Sequence, residues 1–432
     1  METIFAPGTG AGRAAIAVIR LSGPAVQGLL VALTGALPAP RVARYVTLRE
    51  PGAGETLDQG LVLFFPSPQS PTGEDYAELH IHGGQAVVNG VLTTLARFPG
   101  LRAAEPGEFA RRGFVNGKLD LSQAEGLADL IDAETEAQRR QALRIAGGAL
   151  RRRVEGWRAS VIEACALVEA ELDFSDEADV GGFDRGRLHA VLAPLCAELR
   201  AALREAPASE RLREGFLVMI MGPPNAGKST LLNALARRDL AIVSPTPGTT
   251  RDMIEAHLDH GGLPITFADT AGLREAADEI EKIGVDRVLA RVETADLALW
   301  LSAGGEAMPD AVPDGVETLK VSTKADLSPP PEGWLGVSAA NGAGLPALLD
   351  EVARRAKTRL GDGGSALVSR ERHRRALTAA LAALEEARAG EKDLEFTAED
   401  LRSAARALGR IVGAVDVEHV LDAVFSRFCI GK

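Results

Sequence analysis

The chain has 432 residues, which at roughly 100–200 residues per domain suggests two to four domains. Its 46% hydrophobic and 25% charged residues are ordinary for globular domains with sizeable cores, so disorder along the whole chain is excluded. The formal charge of −12 argues against indiscriminate coating of nucleic acid, although it leaves room for a local basic patch. No apolar run approaches the roughly 18 residues of a membrane span, so we expect none.

The cysteines and the N-terminus indicate the compartment. Three scattered cysteines (Cys165, Cys196 and Cys429) are too few for a disulfide framework. The first residues lack the basic and apolar regions of a secretory signal. A reducing, cytoplasmic location is therefore the expectation.

The first third of the chain mixes strand and helix signals. Short apolar or β-branched runs between Gly, Pro and Ser predict strands over 15–21, 61–65 and 77–82, followed by a helix over 87–95. From residue 119 onward apolar residues recur every three or four positions, from Val154 to Leu172 and again from Leu188 to Leu203, which predicts amphipathic helices.

A different pattern begins at Phe216. The continuous apolar run Phe216–Met221 is typical of a strand buried on both faces of a parallel sheet. Similar runs at 265–268, 297–301 and 319–322 alternate with helical segments, which predicts a doubly wound α/β domain. Helical spacing returns after about residue 360, so we expect the α/β domain to be inserted into a helical one.

A phosphate-binding loop follows the first of these strands. Residues 222–229 match G-x-x-x-x-G-K-[ST], in which glycines let main-chain N–H groups converge on phosphates. Lys228 would contact the β and γ oxygens, and the Ser229 hydroxyl would ligate Mg²⁺. The following helix points its N-terminal dipole at the same anion.

Three further elements follow in the order of a GTPase. Asp269 to Gly272 end a strand, where the aspartate would hold Mg²⁺ through water and the Gly272 N–H would bind the γ-phosphate. Residues 247–252 form a candidate switch loop, in which Thr250 is our choice of Mg²⁺ ligand. Asp326 in T-K-A-D would select guanine, and Ser338 to Ala340 would contact the guanine O6 atom.

The residues predicted to contact GTP are Asn225, Ala226, Gly227, Lys228, Ser229, Thr230, Ser244, Thr249, Thr250, Asp269, Thr270, Ala271, Gly272, Thr323, Lys324, Asp326, Ser338, Ala339 and Ala340. Thr323 stands where most GTPases have asparagine, which removes an amide contact near the purine N7 atom. Leu273 stands where many small GTPases have the glutamine that orients the attacking water. Another group must therefore do so, and the sequence alone does not choose among Glu275, Asp278, Glu279 and Glu281.

These motifs, with N-A-G-K-S and P-G-T-T-R-D, resemble the translation-factor-related bacterial GTPases. The flanking motifs narrow the likeness. T-G-E-D at 72–75, E-L-H-I-H-G-G at 78–84, E-P-G-E-F-A at 105–110 and the terminal C-I-G-K make the whole chain resemble the family of tRNA wobble-uridine modification GTPases (MnmE/TrmE).

The resemblance implies a K⁺ ion in place of an arginine finger, bound by Asn225 and the switch residues Ser244, Thr246 and Thr249. It implies that Glu281 orients the attacking water, with Lys228 as the other catalytic residue. Two G domains are expected to meet across their switches when GTP is bound, so that pairing activates hydrolysis.

The resemblance also implies a tetrahydrofolate site and partners. The folate contacts map to Arg20, Glu78, Lys118 and Lys432, in an N-terminal domain that builds a constitutive homodimer. With a flavin-dependent partner of the MnmG/GidA type, which carries FAD and forms a heterotetramer, the protein is expected to add a (carboxymethyl)aminomethyl group to C5 of the wobble uridine of certain tRNAs.

The expected fold is thus multidomain, α/β and α+β. We predict an N-terminal α+β folate-binding domain over 1–118, the first half of a helical domain over 119–210, a Ras-like P-loop G domain over 211–358, and the second helical half with the C-terminal tail over 359–432.

Some assignments stay open. Cys429 is either a nucleophile toward the pyrimidine or an anchor of the tail. The arginine-rich segments at 139–153 and 370–375 either contact tRNA phosphates or form solvated helix faces. A ribosome-assembly GTPase that binds rRNA and a folate-binding scaffold with a nucleotide-sensing G domain are the alternative functions.

Overall fold

The structure, a computed structural model, describes residues 2–10, 12–173, 184–237, 255–269, 292–306, 315–360, 366–389 and 393–415, and near the C-terminus residues 421, 424–426, 428 and 431. The chain divides into two compact units. One comprises 1–128 with 408–432, and the other comprises 129–407. The finer domain boundaries expected from the sequence remain predictions.

The first unit is built on a mixed sheet with strand order β3-β4-β5-β2-β1-β6, antiparallel except for the parallel β1–β6 pair. Its strands are β1 (Thr3–Pro7), β2 (Ile16–Ser22), β3 (Arg44–Arg49), β4 (Thr56–Phe65), β5 (Tyr76–His82) and β6 (Leu101–Ala103). Three helices accompany it, α1 (Val26–Thr34), α2 (Gln85–Arg97) and α3 (Glu108–Val115).

The period-two alternation of these strands gives the sheet two different faces. Ile19, Leu79 and Ile81 lie on the face that packs against Leu29 and Leu95 of α1 and α2, and all five side chains are buried. The intervening residues lie on the opposite face, which is partly open to solvent. Side chains on that face therefore remain available for binding.

The second unit begins with helices. They are α4 (Leu121–Asp132), which starts in the first unit, α5 (Glu136–Ala146), α6 (Ala149–Asp173) and α7 (Arg185–Glu214). Thr135 and Gln138 form a capping box that begins α5. Helix α7 packs against α6, and Trp157 Nε1 donates to Glu198 Oε2 across them at 2.9 Å. The predicted helical spacing is confirmed on both helices.

A second sheet follows, with strand order β12-β11-β10-β7-β9-β8. It is parallel except for the antiparallel pair of β8 with β9. The remaining elements are β7 (Phe216–Met221), α8 (Lys228–Ala236), β8 (Glu255–His260), β9 (Leu263–Asp269), β10 (Leu297–Ser302), β11 (Thr318–Ser322), β12 (Leu335–Gly336), α9 (Leu345–Leu360), α10 (Glu371–Ala389) and α11 (Leu394–Val412). The doubly wound α/β prediction is confirmed.

The core around this sheet explains why its strands could be predicted from apolar runs in the sequence. Phe216, Val218 and Ile220 of β7 are buried among Leu299 of β10 and Phe267 of β9, with helices covering the sheet. Strands buried on both faces read as continuous apolar runs. In the part of the chain that the structure describes, no helix combines the length and apolar character that crossing a bilayer requires.

Candidate functional site

The phosphate loop lies between β7 and α8. Gly222 begins it with φ +150°, and a Cβ atom there would lie 2.3 Å from the carbonyl oxygen of Leu301, so only glycine fits against β10. Gly227 ends it with φ +87° and forms the N-cap of α8. The loop therefore presents main-chain N–H groups and a helix N-terminus to one point, which suits an anion.

Lys228 folds over this loop. Its Nζ atom donates to the carbonyl oxygens of Gly222 and Pro223 at 2.9 and 3.0 Å. The ammonium group is thereby held at the mouth of the loop, where the phosphate oxygens of a nucleotide would meet it. This placement fits the role predicted for Lys228.

Two of the three residues expected around Mg²⁺ touch each other. Ser229 Oγ donates to Asp269 Oδ2 at 2.8 Å, and Asp269 is the last residue of β9 and only 1% exposed. Strands β7 and β9 are parallel neighbours, so their carboxyl ends meet at one sheet edge. A hydroxyl and a carboxylate at this distance form the kind of oxygen pair that Mg²⁺ takes directly or through water.

Thr323 links the predicted base-binding loop to the phosphate loop. It is 5% exposed, its Oγ1 atom donates to the Ala226 carbonyl oxygen at 2.8 Å, and its N–H donates to Ser302 O at 2.9 Å. The sequence showed only the lost asparagine amide at this position. The structure shows that the threonine hydroxyl makes a contact of its own to the neighbouring loop.

The two loops expected to bind guanine are also tied together. Ala325 N–H donates to Val337 O at 3.1 Å, and Lys324 takes a left-handed conformation with φ +57°. Asp326 is exposed beyond this turn, with its carboxylate available to a base. Ser338 is fully buried, and its N–H donates to Ala343 O at 2.8 Å. T-K-A-D and S-A-A are thereby held side by side, as their predicted roles require.

The remaining predicted GTP and ion contacts divide into two groups. Asn225 has φ +62° and is exposed on the phosphate loop, Thr230 is exposed in the first turn of α8, and Ala339 and Ala340 lie in the loop after Ser338. The predicted residues that lie outside the described part of the chain are Ser244, Thr246, Thr249, Thr250, Thr270, Ala271, Gly272, Glu281, Cys429 and Lys432.

A polar cluster occupies the open face of the first sheet. Arg20 and Glu78 are direct cross-strand partners, with Arg20 Nε 3.6 Å from Glu78 Oε1. Tyr76 OH donates to Glu78 Oε1 at 3.1 Å, and His80 Nε2 lies 3.0 Å from Glu78 Oε2. Burial raises the pKa of Tyr76, so its phenol stays protonated and donates. Both oxygens of Glu78 are therefore positioned by neighbours.

Arg20 has capacity left for a ligand. Its Nε atom is buried and has no hydrogen-bond partner among the described residues. One terminal nitrogen donates to the carbonyl oxygen of Gly431 at 3.0 Å, which places Gly431 beside the cluster. Lys118 is exposed in the turn after α3, and the structure records no contact between it and Arg20 or Glu78. Of the four predicted folate positions, Arg20 and Glu78 thus lie side by side, whereas Lys432 lies outside the described residues.

Tyr76 and His80 are the members that sequence reasoning did not assign to this cluster. Both share the face of Glu78, because residues two apart on a strand point the same way. That alternation was the available signal. His82, the next residue on this face, bonds Asp58 instead, with Nδ1 2.9 Å from Oδ1. Among the described residues, no group of three or more side chains could hold a metal ion.

Comparison with known proteins gives two family models that together span most of the chain. The model described as "GTP-binding protein TrmE N-terminus" matches residues 3–118, and the "MnmE helical domain" model matches residues 121–429. The chain is 54% identical over 434 residues to the tRNA modification GTPase MnmE of Azorhizobium caulinodans, covering 100% of this chain and 99% of that relative.

A second relative is equally extensive. The tRNA modification GTPase MnmE of Methylorubrum populi is 56% identical over 440 residues, covering 100% of this chain and 98% of the relative. Among solved structures, the G domain of the T. maritima FeoB iron transporter aligns with 32% of this chain and 98% of its own length, at 23% identity and a TM-score of 0.25.

Proposed function

The chain belongs to the MnmE family of tRNA modification GTPases and is a GTP-hydrolysing enzyme that takes part in tRNA modification, and from this premise we propose that it adds a (carboxymethyl)aminomethyl group to C5 of the wobble uridine of certain tRNAs. Hydrolysis in this proposal depends on K⁺ and on dimerisation. The observation that carries the nucleotide part is the contact of Ser229 with Asp269 beside the Lys228 ammonium.

In this proposal each part of the nucleotide site has a defined role in binding GTP and Mg²⁺. The phosphate loop and Lys228 hold the phosphates, and Asp326 accepts hydrogen bonds from the guanine N1–H and amino group. Ser229 and Thr250 ligate Mg²⁺, which Asp269 reaches through water. When bound, Mg²⁺ supplies positive charge to the β and γ oxygens. The hydroxyl–carboxylate pair that the structure places at the sheet edge supports this assignment.

The K⁺ part extends the site outward from the phosphate loop. Asn225 is exposed at the loop, where its amide oxygen can face an ion held beside the phosphates. Ser244, Thr246 and Thr249 supply the other oxygens in the proposal. When bound, K⁺ supplies the charge that an arginine finger supplies elsewhere. The amide oxygen of Asn225 is a suitable donor for such an ion.

Glu281 orients the attacking water in this scheme, because Leu273 lacks a polar group for the task. Removing the Glu281 carboxylate should slow hydrolysis and leave GTP affinity nearly intact. A large loss of GTP affinity in Glu281→Gln would contradict the role. Nucleotide affinity is measured by titration, and hydrolysis by phosphate release at saturating GTP.

The polar cluster on the first sheet fits a tetrahydrofolate. Folates carry carboxylates and an aminopyrimidinone ring, and the cluster offers Arg20, whose buried Nε atom has no hydrogen-bond partner among the described residues, beside the carboxylate of Glu78. We assign Arg20, Lys118 and Lys432 to the folate carboxylates and Glu78 to the ring. When bound, the folate supplies a one-carbon unit. Gly431 beside Arg20 supports a contribution from the tail, and hence from Lys432.

The same sheet face supports a homodimer. Tyr45, Leu61 and His80 lie in one cross-strand row on the face opposite α1 and α2, and Ile16 pairs with His82 at the next position. Tyr45 is 66% exposed, Ile16 60% and Leu61 40%. Apolar side chains gathered on an open sheet face indicate a surface that a partner covers.

The redox part of the reaction requires a partner in the proposal. The sequence contains no G-x-G-x-x-G dinucleotide fingerprint, so FAD belongs to a flavin-dependent MnmG/GidA-type protein, with which the dimer forms a heterotetramer. Loss of the wobble-uridine modification on deletion of the gene, and its return on complementation, tests this pathway.

The decisive assay is GTP hydrolysis in KCl against NaCl at equal ionic strength. We expect hydrolysis to be faster in KCl, because K⁺ supplies positive charge where the two G domains of one dimer meet. Equal rates in the two salts would remove the K⁺ mechanism. Asn225→Ala should abolish the difference while retaining GTP binding.

A further inference from the structure

The hairpin formed by α5 and α6 carries a concentrated positive charge. Residues 136–158 contain seven arginines, two glutamates and no lysine or aspartate, which gives this segment a formal charge of +5 in a chain of −12. By contrast, the 30 residues of α7 hold six arginines against four glutamates. The hairpin therefore stands out from its helical neighbour and from the molecule as a whole.

The arginines share the outer surface of the hairpin. Gln141, Ala142 and Ile145 of α5 are buried, and so are Val154 and Trp157 of α6. The exposed arginines on the other side are Arg139, Arg140, Arg144, Arg151 and Arg152. The Gly147–Gly148 turn joins the two helices, and Arg152 Nη1 donates to the Gly147 carbonyl oxygen at 2.9 Å, so exposed arginines lie on both sides of the turn. We call these five arginines the arginine strip.

The carboxylates of the hairpin do not cancel this charge. Glu136 is shared by two guanidinium groups, since its oxygens lie 2.7 Å from both Arg139 Nε and Arg140 Nε. Hydrogen bonds from these two arginines lower the pKa of Glu136 to about 2, so the carboxylate stays ionised. Its single negative charge balances only one of the two positive charges of Arg139 and Arg140. Glu155 Oε1 lies 2.7 Å from Arg151 Nε.

The second arginine-rich segment of the sequence is different. Arg370 pairs with Asp129, Arg374 pairs with Glu210, and Arg375 pairs with Glu371. The first two of these pairs join α10 and the residue before it to other helices. Arg370 and Arg374 are thus paired with other helices, whereas Arg139, Arg140 and Arg151 pair with glutamates of the hairpin itself and remain exposed.

We propose that the arginine strip of the α5–α6 hairpin is the surface that holds the phosphate backbone of the tRNA. The inference rests on the proposed function, which supplies the tRNA. Arginine is suited to the task because its planar fork binds phosphate oxygens bidentately. An acidic protein is the weaker candidate: protein interfaces need an apolar centre, and Leu143 is the one large hydrophobic side chain exposed on the described hairpin between 136 and 158.

The test compares two triple variants of the full-length protein. In Arg140→Gln, Arg144→Gln, Arg151→Gln, the strip loses three charges. The control is Arg354→Gln, Arg375→Gln, Arg406→Gln, whose arginines are exposed by 65%, 76% and 47% and are each paired with a glutamate on their own helix, as Arg140 and Arg151 are. Affinity for a fluorescently labelled tRNA is measured by anisotropy across a series of salt concentrations.

We expect the strip variant to lose about tenfold or more in affinity at physiological salt. The slope of log affinity against log salt should fall by roughly 0.7–0.9 for each phosphate contact removed. The control variant should match the wild type, and GTP hydrolysis in KCl without tRNA should be the same in all three proteins.

Two results would contradict the proposal in different ways. If the strip variant shows the wild-type salt dependence of tRNA affinity, the arginine strip is not the tRNA surface, although the proposed function stands. The same conclusion follows if the variant keeps its tRNA affinity and loses only its binding to the flavin-dependent partner protein. Wild-type protein that binds no tRNA would contradict the proposed function, and the surface with it.

Discussion

The hydroxyl of Thr323 and the main-chain carbonyl of Ala226 form a 2.8 Å hydrogen bond that joins the base-binding loop to the phosphate loop. Both residues are almost fully buried. A Cβ atom on Gly227, one residue further, would lie 3.9 Å from the Thr323 side chain, so the two loops are in close contact. The bond therefore joins the loop predicted to bind guanine to the loop predicted to bind phosphate.

Replacing Thr323 with valine should weaken both GTP and GDP binding. Valine keeps the shape of threonine but leaves the Ala226 carbonyl without its donor in a buried place, at a cost of about 1–2 kcal/mol. That corresponds to roughly 5- to 30-fold in affinity. Titration with a fluorescent guanine nucleotide measures it. Thr323→Asn should retain most of the affinity, because an amide can also donate to this carbonyl.

Thr318→Val is the matched control for this change. Thr318 begins β11, the strand that Thr323 directly follows, and its Oγ1 atom donates to Val316 O at 3.3 Å, at the other end of that strand. We expect its affinity to equal that of the wild type. Thr323→Val with unchanged affinity for both nucleotides would show that the loop contact is not needed for binding.

The sequence predicted the second sheet better than the first. Strand β7 was predicted over Phe216–Met221, where the structure has it, because a strand buried on both faces has an unmistakable apolar run. The edge strand β8, Glu255–His260, was missed. Its apolar residues alternate with charged or histidine residues, and it forms a strand because it pairs with β9. Strand β1, Thr3–Pro7, was missed because five residues ending in proline give little pattern.

The site shows the same limit. The motifs predicted Ser229 and Asp269 at one Mg²⁺ ion, and the structure has their side-chain oxygens 2.8 Å apart. They could not predict that the Thr323 hydroxyl would donate to the Ala226 carbonyl oxygen, since that contact depends on a loop-to-loop distance. The grouping of Tyr76 and His80 around Glu78 likewise depends on the register of β5 against its neighbours.

Glu78→Gln should weaken folate binding without altering GTP hydrolysis. The change removes the charge to which a protonated ring nitrogen and amino group would donate, and hydrogen bonds to charged groups contribute about 1.5–3 kcal/mol. We expect roughly 10- to 100-fold weaker binding of a formyl-tetrahydrofolate in calorimetric titration. Glu50→Gln serves as control, since Glu50 pairs with Arg97 away from the cluster. Equal folate affinity in both variants would refute the assignment of Glu78.

His80→Ala tests whether the carboxylate must also be held in place. His80 lies 3.0 Å from Glu78 Oε2 and is a positioning residue in this reading. We expect a smaller loss than in Glu78→Gln, about 3- to 10-fold in folate affinity, and partial recovery in His80→Gln. A loss in His80→Ala as large as in Glu78→Gln, with no recovery, would indicate that His80 touches the ligand itself.

Charges placed on the open face of the first sheet should dissociate the proposed homodimer. The double variant Tyr45→Glu, Leu61→Glu buries two carboxylates in any interface on that face, because the two positions are cross-strand partners. Sedimentation at micromolar concentration should then give the monomer mass. Val31→Glu, at a residue 45% exposed on α1, should remain dimeric. A dimer that survives the double variant would place the interface elsewhere.

The E-P-G-E-F-A motif at 105–110 has a structural task that yields a pH prediction. Glu108 accepts hydrogen bonds from Arg102, from the Glu105 N–H and from Arg112, and Arg112 also contacts Glu74 Oε2 at 2.8 Å. Burial alone would raise the pKa of Glu108, but these donors outweigh it and hold the pKa at about 2, below its ordinary 4.5. The ionised carboxylate thus stabilises the fold above pH 4.5, and that contribution is lost as pH falls toward 2.

Glu108→Gln should therefore destabilise this region by about 2 kcal/mol at pH 7, and the difference from wild type should shrink as pH falls from 4.5 toward 2. Hydrogen exchange of peptides covering residues 101–116 measures the local stability of this region, separately from global unfolding. Glu2→Gln is the control, because Glu2 is 67% exposed and pairs with the same Arg102. Exposed pairs contribute at most about 1 kcal/mol, so we expect little change there. A Glu108→Gln difference that stays constant down to pH 2.5 would mean that the carboxylate's charge is not what holds α3 in place.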